Sequence, residues 1–276
     1  MEQAQNKVRL YNTRSNWVAK ETVGGRHGIG WQTAAFVGVL GFMGVWWLAA
    51  VRYDNPFLMP TPWQTSLALW EAVRDPWVWE NLGLTMRRVG TGFGYAVCIG
   101  VPVGFLMGSS LWARRMLDPV IDSLRQVPMM AWVPLTIVWF GLGDGPTVFL
   151  IAFVGVFAVI LNTIAGVENV PLDLRHAARS MGARRANVIA DVVLPGAFPD
   201  ILTGMRVALG AAWMSVICAE FIATSAGFGY LMVHAQTMME TDRLMALMVL
   251  GAIIGFLLDR GLLLLRNTLA GWKAVS

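Results

Sequence analysis

Residues 167–196, VENVPLDLRHAARSMGARRANVIADVVLPG, form a long polar and basic stretch within an otherwise hydrophobic part of the chain. The residues before it, 147–167, carry no charge, and those after it, 201–225, are apolar apart from Arg206 and Glu220. Each flanking run reaches the about 20 apolar residues that an α-helix needs to cross a lipid bilayer. The pattern predicts a polar loop between two membrane-spanning helices.

The composition predicts an all-α, polytopic membrane protein. Hydrophobic residues make up 56% of the 276-residue chain and charged residues only 14%, which is unlike a soluble domain. Four further apolar runs bring the expected number of transmembrane helices to six: 32–51, 89–113, 124–142 and 244–265. The run 124–142 is the least regular, because Pro128 and Pro134 interrupt it. Such breaks are tolerated where neighbouring helices satisfy the freed backbone groups.

The distribution of Lys and Arg predicts that both termini are cytoplasmic. With the N-terminus inside, six crossings leave most of the 21 Lys and Arg residues in cytoplasmic segments or at adjoining helix ends. The residues expected on the outer side are Arg52, Arg74, Arg87, Arg88 and Arg243. The net charge of +4 therefore reflects a positive-inside bias and gives no sign of nucleic-acid binding.

We divide the chain into a cytoplasmic N-terminal segment at 1–30, a transmembrane domain at 31–265 and a cytoplasmic tail at 266–276. The N-terminal segment lacks the apolar core of a signal peptide, so the first span is expected to remain as an anchor. Within the transmembrane domain, 54–82 is expected on the periplasmic side, where its tryptophans suit short interfacial helices. Residues 167–196 are expected on the cytoplasmic side.

The cytoplasmic loop contains a short amphipathic pattern. Leu174, Ala177, Ala178 and Met181 recur at helical spacing and predict an apolar stripe that faces no partner within the chain. Gly182 is expected to end this helix, because glycine readily adopts the left-handed conformation. A second helical segment, 184–194, is expected to stop at Pro195. Two interpretations remain open: the helix lies on anionic headgroups, or it fits a groove in a partner protein.

The spacing of the loop resembles the signature of permeases of ABC importers. That signature has Glu-Ala-Ala, then Gly, then Ile, then Leu-Pro at fixed intervals. The chain carries, at those intervals, His176-Ala177-Ala178, Gly182, Val192 and Leu194-Pro195. His176 takes the place of the usual glutamate, which removes a carboxylate from the loop.

Further segments are similar to the nitrate, sulfonate and taurine branch of these permeases, with taurine and alkanesulfonate permeases most similar. They are 100–108, 125–143, 193–213, 219–223 and 227–230. The resemblance implies a type I ABC importer permease fold in the inner (cytoplasmic) membrane of a bacterium. The implied cargo is a small anionic or zwitterionic solute such as taurine or a sulfonate, with nitrate, cyanate or bicarbonate as the alternative.

The same resemblance implies the partners. They are a second copy of the chain, two cytoplasmic ABC ATPase subunits that bind ATP and Mg²⁺, and a periplasmic substrate-binding protein. Coupling to the ATPase is implied for Leu174, His176, Ala177, Ala178, Met181, Gly182, Arg184, Val192, Leu194 and Pro195.

The sequence contains no GxxxxGK[ST] motif, so we expect no ATPase, cofactor or metal site in this chain. Two glycine-rich pieces, 90–94 and 141–145, are expected to serve helix packing and a tight turn. An intramembrane enzyme is disfavoured, because the histidines lie outside the spans. A secondary transporter, the remaining alternative, would show repeated halves and membrane-centred ion-coupling groups.

Ionisable groups within the spans are functional candidates by default. Glu220 lies near the outer end of the fifth span, and Arg87 and Arg88 near the outer end of the second. We expect Glu220 to pair with one of these arginines as a structural tie or outer gate, with separate snorkelling to the interface as the alternative. Arg206, near the inner end of the fifth span, is expected to meet headgroups or a loop carbonyl, and a transient anion contact is left open.

The family resemblance places a translocation path between the third and fifth spans at a dimer interface. The candidate residues are Trp132, Thr136, Trp139, Thr203, Gly210, Met214 and Ser215. For the Met and Trp positions, lipid contact or helix packing is the alternative. No dense cluster of charge marks a tight anion site, which suits a permease that leaves affinity to its binding protein.

Overall fold

The computed structural model describes residues 29–53, 55 and 57–269, and the regular elements in this part of the chain are helices. The chain divides by contacts into two units, 1–52 and 53–276. Of the N-terminal segment predicted at 1–30, residues 1–28 lie outside the described residues. Of the tail predicted at 266–276, residues 270–276 lie outside them. Helix α1, Ile29–Tyr53, makes up the described part of the first unit.

The second unit contains the remaining helices. In chain order they are α2 (Pro62–Arg74), α3 (Pro76–Ser109), α4 (Leu111–Gln126), α5 (Met129–Phe140), α6 (Asp144–Glu168), α7 (Leu172–Ser180), α8 (Arg185–Val188), a π-helical turn (Ile189–Val193), α9 (Leu194–Ala223), α10 (Phe228–Thr237) and α11 (Thr241–Leu269).

Five helical stretches among the described residues are long and apolar enough to cross a membrane. They are Phe36–Tyr53, Pro76–Ser109, Asp144–Glu168, Arg185–Ala223 and Thr241–Thr268. The prediction of an all-helical, polytopic protein is confirmed.

The run 124–142, predicted as the third of the six spans in chain order, is not one helix. Val127 is extended, and Pro128 separates the end of α4 from α5. The proline causes this break, since it lacks an N–H and disfavours the helical conformation in the residue before it. Helix α5 has 12 residues, about 18 Å of helix, which is shorter than the about 30 Å hydrocarbon layer.

The second span is shifted toward its N-terminus relative to the predicted 89–113. Helix α3 begins at Pro76, where the Asp75 carboxylate caps it by accepting from the Trp77 N–H at 2.9 Å. It ends at Ser109, after which Ser110 caps α4. The segment predicted outside the membrane, 54–82, therefore contains α2 and the first turns of α3.

Glycines bring α3 and α6 into close contact. A Cβ added to Gly92 would lie 2.6 Å from Ile151, and one added to Gly108 would lie 2.8 Å from Val167. Both distances are too short for a real side chain, so only glycine allows this approach. Because the contact positions on the two helices increase together, α3 and α6 run parallel.

Helix α9 packs against α6 in the opposite direction. A Cβ added to Gly166 would lie 2.8 Å from Asp200, and one added to Gly204 would lie 2.6 Å from Asn162. Helix α11 in turn packs on α9, where Gly255 meets the ring of Trp213. A buried apolar cluster joins these helices to α3 and α10, with Phe228 among its members. Helices α3, α6, α9 and α11 therefore meet along glycine contacts and one shared core.

The parallel arrangement fixes how the chain connects α3 to α6. Arg114, just after α3, pairs with Glu168 at the end of α6. Arg88, in the fourth turn of α3, pairs with Asp144 at the start of α6. The end of α3 and the start of α6 therefore lie at opposite ends of the helix pair. Helices α4 and α5 carry the chain back between them.

Candidate functional site

The loop helix α7 ends at Gly182 as predicted. Met181 is the C-cap residue of α7, and the next residue, Gly182, has a φ of +87°. The Gly182 N–H donates to the Arg179 carbonyl at 2.9 Å, and the Ala183 N–H donates to the Ala178 carbonyl at 3.1 Å. These two bonds form a Schellman motif, which satisfies the free carbonyls of a helix end.

The predicted apolar stripe is divided between two environments. Ala178 is buried and packs with Val167 and Val188 in a cluster beneath the loop. Leu174 and Met181 remain 55% and 82% exposed. The expectation that the stripe faces nothing in its own chain is therefore wrong for Ala178, because that side chain attaches α7 to the transmembrane helices.

A second contact fixes α7 from the same side. The Arg175 guanidinium donates to the carbonyl of Val167 in the last turn of α6, a position where basic groups favourably satisfy free carbonyls. Eight of the exposed residues of the loop define what we call the loop surface, and the exposed Asp173 lies beside them: Leu172, Leu174, His176, Ala177, Arg179, Met181, Arg184 and Arg185.

The predicted stop at Pro195 is wrong. Helix α8, the π-helical turn and α9 form one continuous stretch, Arg185–Ala223. The Leu194 N–H bonds across the wider π-turn to the Ile189 carbonyl, and Pro195 falls in the first turn of α9. The extra residue in the π-turn accommodates a proline that would otherwise clash with the preceding turn. Val192 is half-buried there, and Leu194 and Pro195 are exposed.

At the other end of α9, the Glu220 side chain is fully buried. Its carboxylate accepts from the Thr85 hydroxyl at 2.8 Å, from Nη1 of Arg88 at 2.6 Å and from the Gly229 N–H at 2.8 Å. A buried charge is stable only when it is paired and its lone pairs are satisfied. These donors come from α3 and α10, so the carboxylate binds three helices together.

Arg88 is the hub of this cluster, which lies at the end of the helices that the sequence predicts to be the outer one. Besides Glu220, its Nη1 donates to the Ala226 carbonyl at 2.7 Å, and its Nε donates to Asp144 at 2.7 Å. Arg87 pairs only with the other oxygen of Asp144, at 2.6 Å. The structure thus pairs Glu220 with Arg88 and not with Arg87, and separate snorkelling does not occur. Sequence reasoning missed Asp144, although an acidic residue at a helix start is a recognisable signal.

The turn between α9 and α10 depends on Gly227. Its φ is +123°, and a Cβ there would lie 2.4 Å from the Glu220 carboxyl carbon. The Gly227 N–H donates to Oδ1 of Asn81 at 2.7 Å, and the next N–H, of Phe228, donates to the Thr85 hydroxyl at 2.8 Å. The outer network is defined here by Asn81, Thr85, Arg87, Arg88, Asp144, Glu220 and Gly227.

The structure separates the predicted path residues into two groups. Thr203, Gly210 and Met214 lie along one side of α9 that also exposes Val207 and Phe221. We call this side the open face of α9. Thr136 and Ser215 are instead buried. Their hydroxyls donate to carbonyls of their own helices, at 2.8 and 3.1 Å, so they do not line a path in the single chain.

The two path tryptophans attach α5 to α6. The Trp132 ring lies 4.7 Å from the Phe153 ring, and the Trp139 ring lies 6.0 Å from the Phe149 ring, measured between centroids. Aromatic pairs at such distances contribute to packing. Trp139 is still half-exposed. The packing alternative stated for tryptophan therefore describes Trp132 well.

Arg206, for which headgroups or a loop carbonyl are the expected partners, pairs with a carboxylate instead. Its Nε and Nη2 donate to the two carboxylate oxygens of Asp259 on α11, at 2.6 and 2.7 Å. This is the bidentate geometry in which a guanidinium binds a carboxylate most strongly. No local pattern predicts this pair, because its members are far apart in the chain. Among the described residues, no group of three or more His, Cys, Asp or Glu could hold a metal ion.

Comparison with known proteins gives consistent matches. Residues 100–266 match the family of the binding-protein-dependent transport system inner membrane component. The taurine transport system permease protein TauC of Escherichia coli is 38% identical over 235 residues, which cover 83% of this chain and 85% of TauC. The aliphatic sulfonates transport permease protein SsuC of Bacillus subtilis is 30% identical, and the match covers 99% of this chain and 98% of SsuC. The bicarbonate permease CmpB of Synechococcus elongatus is 32% identical, and the match covers 81% of this chain and 84% of CmpB.

Solved structures support the same fold. A chain of the MetNI methionine ABC transporter superposes with a TM-score of 0.61 at 19% identity, covering 72% of this chain and 96% of that one. A chain of an amino acid ABC transporter superposes with a TM-score of 0.56 at 18% identity, over 80% and 96%.

These matches argue against a secondary transporter. They make the chain a multi-pass inner-membrane permease that works with ATPase and binding-protein partners and carries no ATPase or cofactor site of its own. The chain therefore belongs to the family of inner-membrane components of binding-protein-dependent ABC transport systems.

Proposed function

We propose that this permease imports a small anionic or zwitterionic solute of the taurine and sulfonate class, delivered by a periplasmic binding protein. The observation that carries this proposal is the identity of 38% with a taurine permease over 83% of the chain. Aliphatic sulfonate permeases at 34% and 30% support the same class. Bicarbonate is the second candidate, because a bicarbonate permease is 32% identical. Nitrate and cyanate are small anions of the same charge.

The loop surface is proposed to dock an ABC ATPase subunit on the cytoplasmic side. Its apolar residues Leu174 and Met181 are exposed, whereas Ala178 and Arg175 hold the helix in place from beneath. A pre-positioned apolar ridge with a basic rim loses little conformational entropy when it enters a groove. His176 adds no carboxylate to this ridge, so docking relies on the apolar residues and the arginines.

Six membrane crossings with both termini in the cytoplasm are proposed, although only five helical stretches in the described part of the chain are long enough alone. The support is the parallel packing of α3 and α6, which requires α4 and α5 together to return the chain across the membrane. The aromatic contacts of Trp132 and Trp139 hold the short α5 against α6 at that level. With six crossings, the basic loop surface lies on the cytoplasmic side, as the positive-inside rule expects.

A homodimer is proposed, with the open face of α9 at or near the contact between the two copies. This face is mostly apolar, with Thr203 and Gly210 as its polar and small positions, and Val207 and Met214 are uncovered on it within one chain. Two such faces, together with the exposed Trp139 of each α5, would line a path for a small solute. The path residues buried in one chain, Thr136 and Ser215, would support this lining from behind.

The outer network is proposed to hold the outer end of the helices together as a tie or gate. It joins α3, α6, α9 and the turn before α10 through Arg88 and Glu220. Two arginines meet two carboxylates there, so the charges of the network balance. A cluster of this kind comes apart only when its members are rehydrated, which suits an element with two discrete arrangements.

The proposal is tested in cells that lack this gene and carry a tagged copy. An ABC ATPase should co-purify with the tagged chain, and radiolabelled taurine or ethanesulfonate should accumulate only in complemented cells. Uptake of bicarbonate alone would replace the sulfonate class by the second candidate. Consistent absence of an ATPase from the purified complex would contradict the proposed coupling.

A further inference from the structure

Arg206 and Asp259 form an ion pair between the interiors of two helices, away from the ends of either helix. The pair joins α9 to α11, with side-chain exposures of 33% and 37%. The Nε and one Nη2 proton of Arg206 face the carboxylate. A guanidinium has five N–H donors, and its Nη1 group has no partner among the residues that the structure describes. The pair is therefore neutral overall and still presents unused donors.

The pair lies inside the membrane-spanning part of the fold. Gly204 and Ala208, on either side of Arg206, contact α6 at Asn162 and Gly155. These positions are in the middle part of α6, between Asp144 at one end and Glu168 at the other. Along α9, Arg206 is about 21 Å of helix from Glu220 of the outer network. Arg206 is thus separated from the ionic groups at both ends of the bundle.

The position of Arg206 on α9 connects the pair to the open face. Arg206 follows Thr203 by three residues and precedes Gly210 by four, so the Arg206 side chain lies next to that of Thr203 and to the bare backbone at Gly210. Asp259 meets Arg206 from the α11 side. The guanidinium therefore stands at the border between the α11 contact and the open face.

Two other ion pairs differ from this one, the first in its exposure and the second in its position along the helices. The pair of Arg88 and Glu220 ties helices together and is closed off from solvent, with exposures of 6% and 0%. The pair of Arg243 and Asp75 has a similar exposure to that of Arg206 and Asp259, 33% and 31%, but it lies outside the spans, at the start of α11. A partly open ion pair at this depth would be costly against lipid tails. It is compatible with a water-filled path or with a second copy.

The geometry points to Arg206 as a residue that contacts the anionic group of the substrate on its way along the open face of α9, with Asp259 holding the guanidinium in position. This inference rests on the proposed function. Because Asp259 offsets the charge of Arg206, the contact is weak and transient, and a permease needs to release its cargo. Arg260, the exposed residue next to Asp259, adds a further positive charge nearby. The oxygens of a sulfonate or carboxylate fit the unused Nη1 donors.

The test compares substitutions of this pair in the complemented cells, with taurine, ethanesulfonate and bicarbonate offered as separate probes. Arg206→Gln should lower uptake at least tenfold, and Arg206→Lys should retain more uptake than Arg206→Gln because the positive charge remains. The double charge exchange Arg206→Asp with Asp259→Arg rebuilds an ion pair but places a carboxylate on α9. The thermal unfolding midpoint of its purified complex should equal that of wild type. Its uptake should remain at least tenfold below that of wild type.

Arg243→Gln is the matched control, because it removes an arginine from a pair of similar exposure outside the spans. It should leave the uptake rate at saturating substrate within about twofold of wild type. Each variant is also scored for ATPase co-purification, which should be unchanged.

Three outcomes would overturn the inference. They are normal uptake in Arg206→Gln, recovery of both stability and uptake in the charge exchange, and equal uptake in Arg206→Lys and Arg206→Gln. If the charge exchange does not fold, the comparison of Arg206→Lys with Arg206→Gln at matched protein levels decides. If the wild-type complex transports none of the three probes, the anionic substrate class fails and this inference with it. Loss of ATPase co-purification in wild type would instead contradict the proposed coupling.

Discussion

Nη1 of Arg88 lies 2.6 Å from Oε1 of Glu220, whose side chain is fully buried, while the adjacent Arg87 reaches only Asp144 and is largely exposed. Two consecutive arginines on one helix therefore have different environments. This difference separates the energetic value of a buried charge pair from that of an exposed one.

Replacing Glu220 with Gln should destabilise the protein strongly, by about 3 to 5 kcal/mol, because it leaves the buried guanidinium of Arg88 without one of its counter-charges. Arg87→Gln should cost less than about 1 kcal/mol, as for other exposed pairs. The measurement is the unfolding midpoint of the purified protein in detergent. Equal midpoints for the two variants would show that the outer network does not stabilise the fold.

Gly227→Ala should be damaging for two reasons. Its φ of +123° is unfavourable for a residue with a Cβ, and that Cβ would lie 2.4 Å from the Glu220 carboxyl carbon. We expect a loss of more than about 2 kcal/mol. Gly83→Ala in α3 is the control, since nothing lies within 4 Å of its Cβ, and it should be neutral or stabilising by about 0.5 to 1 kcal/mol. A normal unfolding midpoint for Gly227→Ala would refute the steric argument.

Gly182→Val should weaken the coupling of transport to the ATPase. The φ of +87° at this position closes α7, and a β-branched residue there is strained by about 1 to 2 kcal/mol. We expect less ATPase in the purified complex and at least fivefold lower uptake. Gly182→Asn should be nearly normal, because Asn tolerates the left-handed conformation. Full uptake by the Val variant would contradict a role for this helix end.

Two neighbouring alanines distinguish folding from docking in the loop. Ala178→Arg would force a charge into the cluster beneath α7 and should lower the unfolding midpoint, because Ala178 is buried. Ala177→Arg should leave the midpoint unchanged, because Ala177 is exposed, but should reduce ATPase co-purification by steric conflict. Undiminished co-purification in Ala177→Arg would remove Ala177 from the docking surface.

The features that follow from local sequence were predicted well. Apolar runs located five of the six predicted spans, and the glycine at 182 located the end of α7, because both depend on neighbouring residues only. Pro195 misled for the opposite reason: the proline rule is local, and a π-turn upstream absorbed the ring. The pairing of Glu220 with an arginine of the second span could be anticipated from matched depth in the membrane.

Partners across the fold could not be predicted in the same way. Asp144 joins Arg88 only because glycines such as Gly92 let α3 and α6 run parallel in close contact. The partner of Arg206 depends on how α11 packs on α9, which no spacing in either helix reveals. Similarly, the inward orientation of Ala178 depends on the cluster formed by Val167 and Val188.

The unbroken stretch Arg185–Ala223 has a mechanical consequence. At about 1.5 Å per residue it is a rod of about 58 Å, with the loop surface beside its first residues and Glu220 near its last. If the rod tilts about the level of Arg206, its two ends move in opposite directions. A displacement imposed on the end beside the loop surface then reaches the end that carries Glu220, except for what the π-turn at Ile189–Val193 and the interior proline of α9, Pro199, absorb. The stiffness of these two places therefore sets how much of the motion the outer network receives.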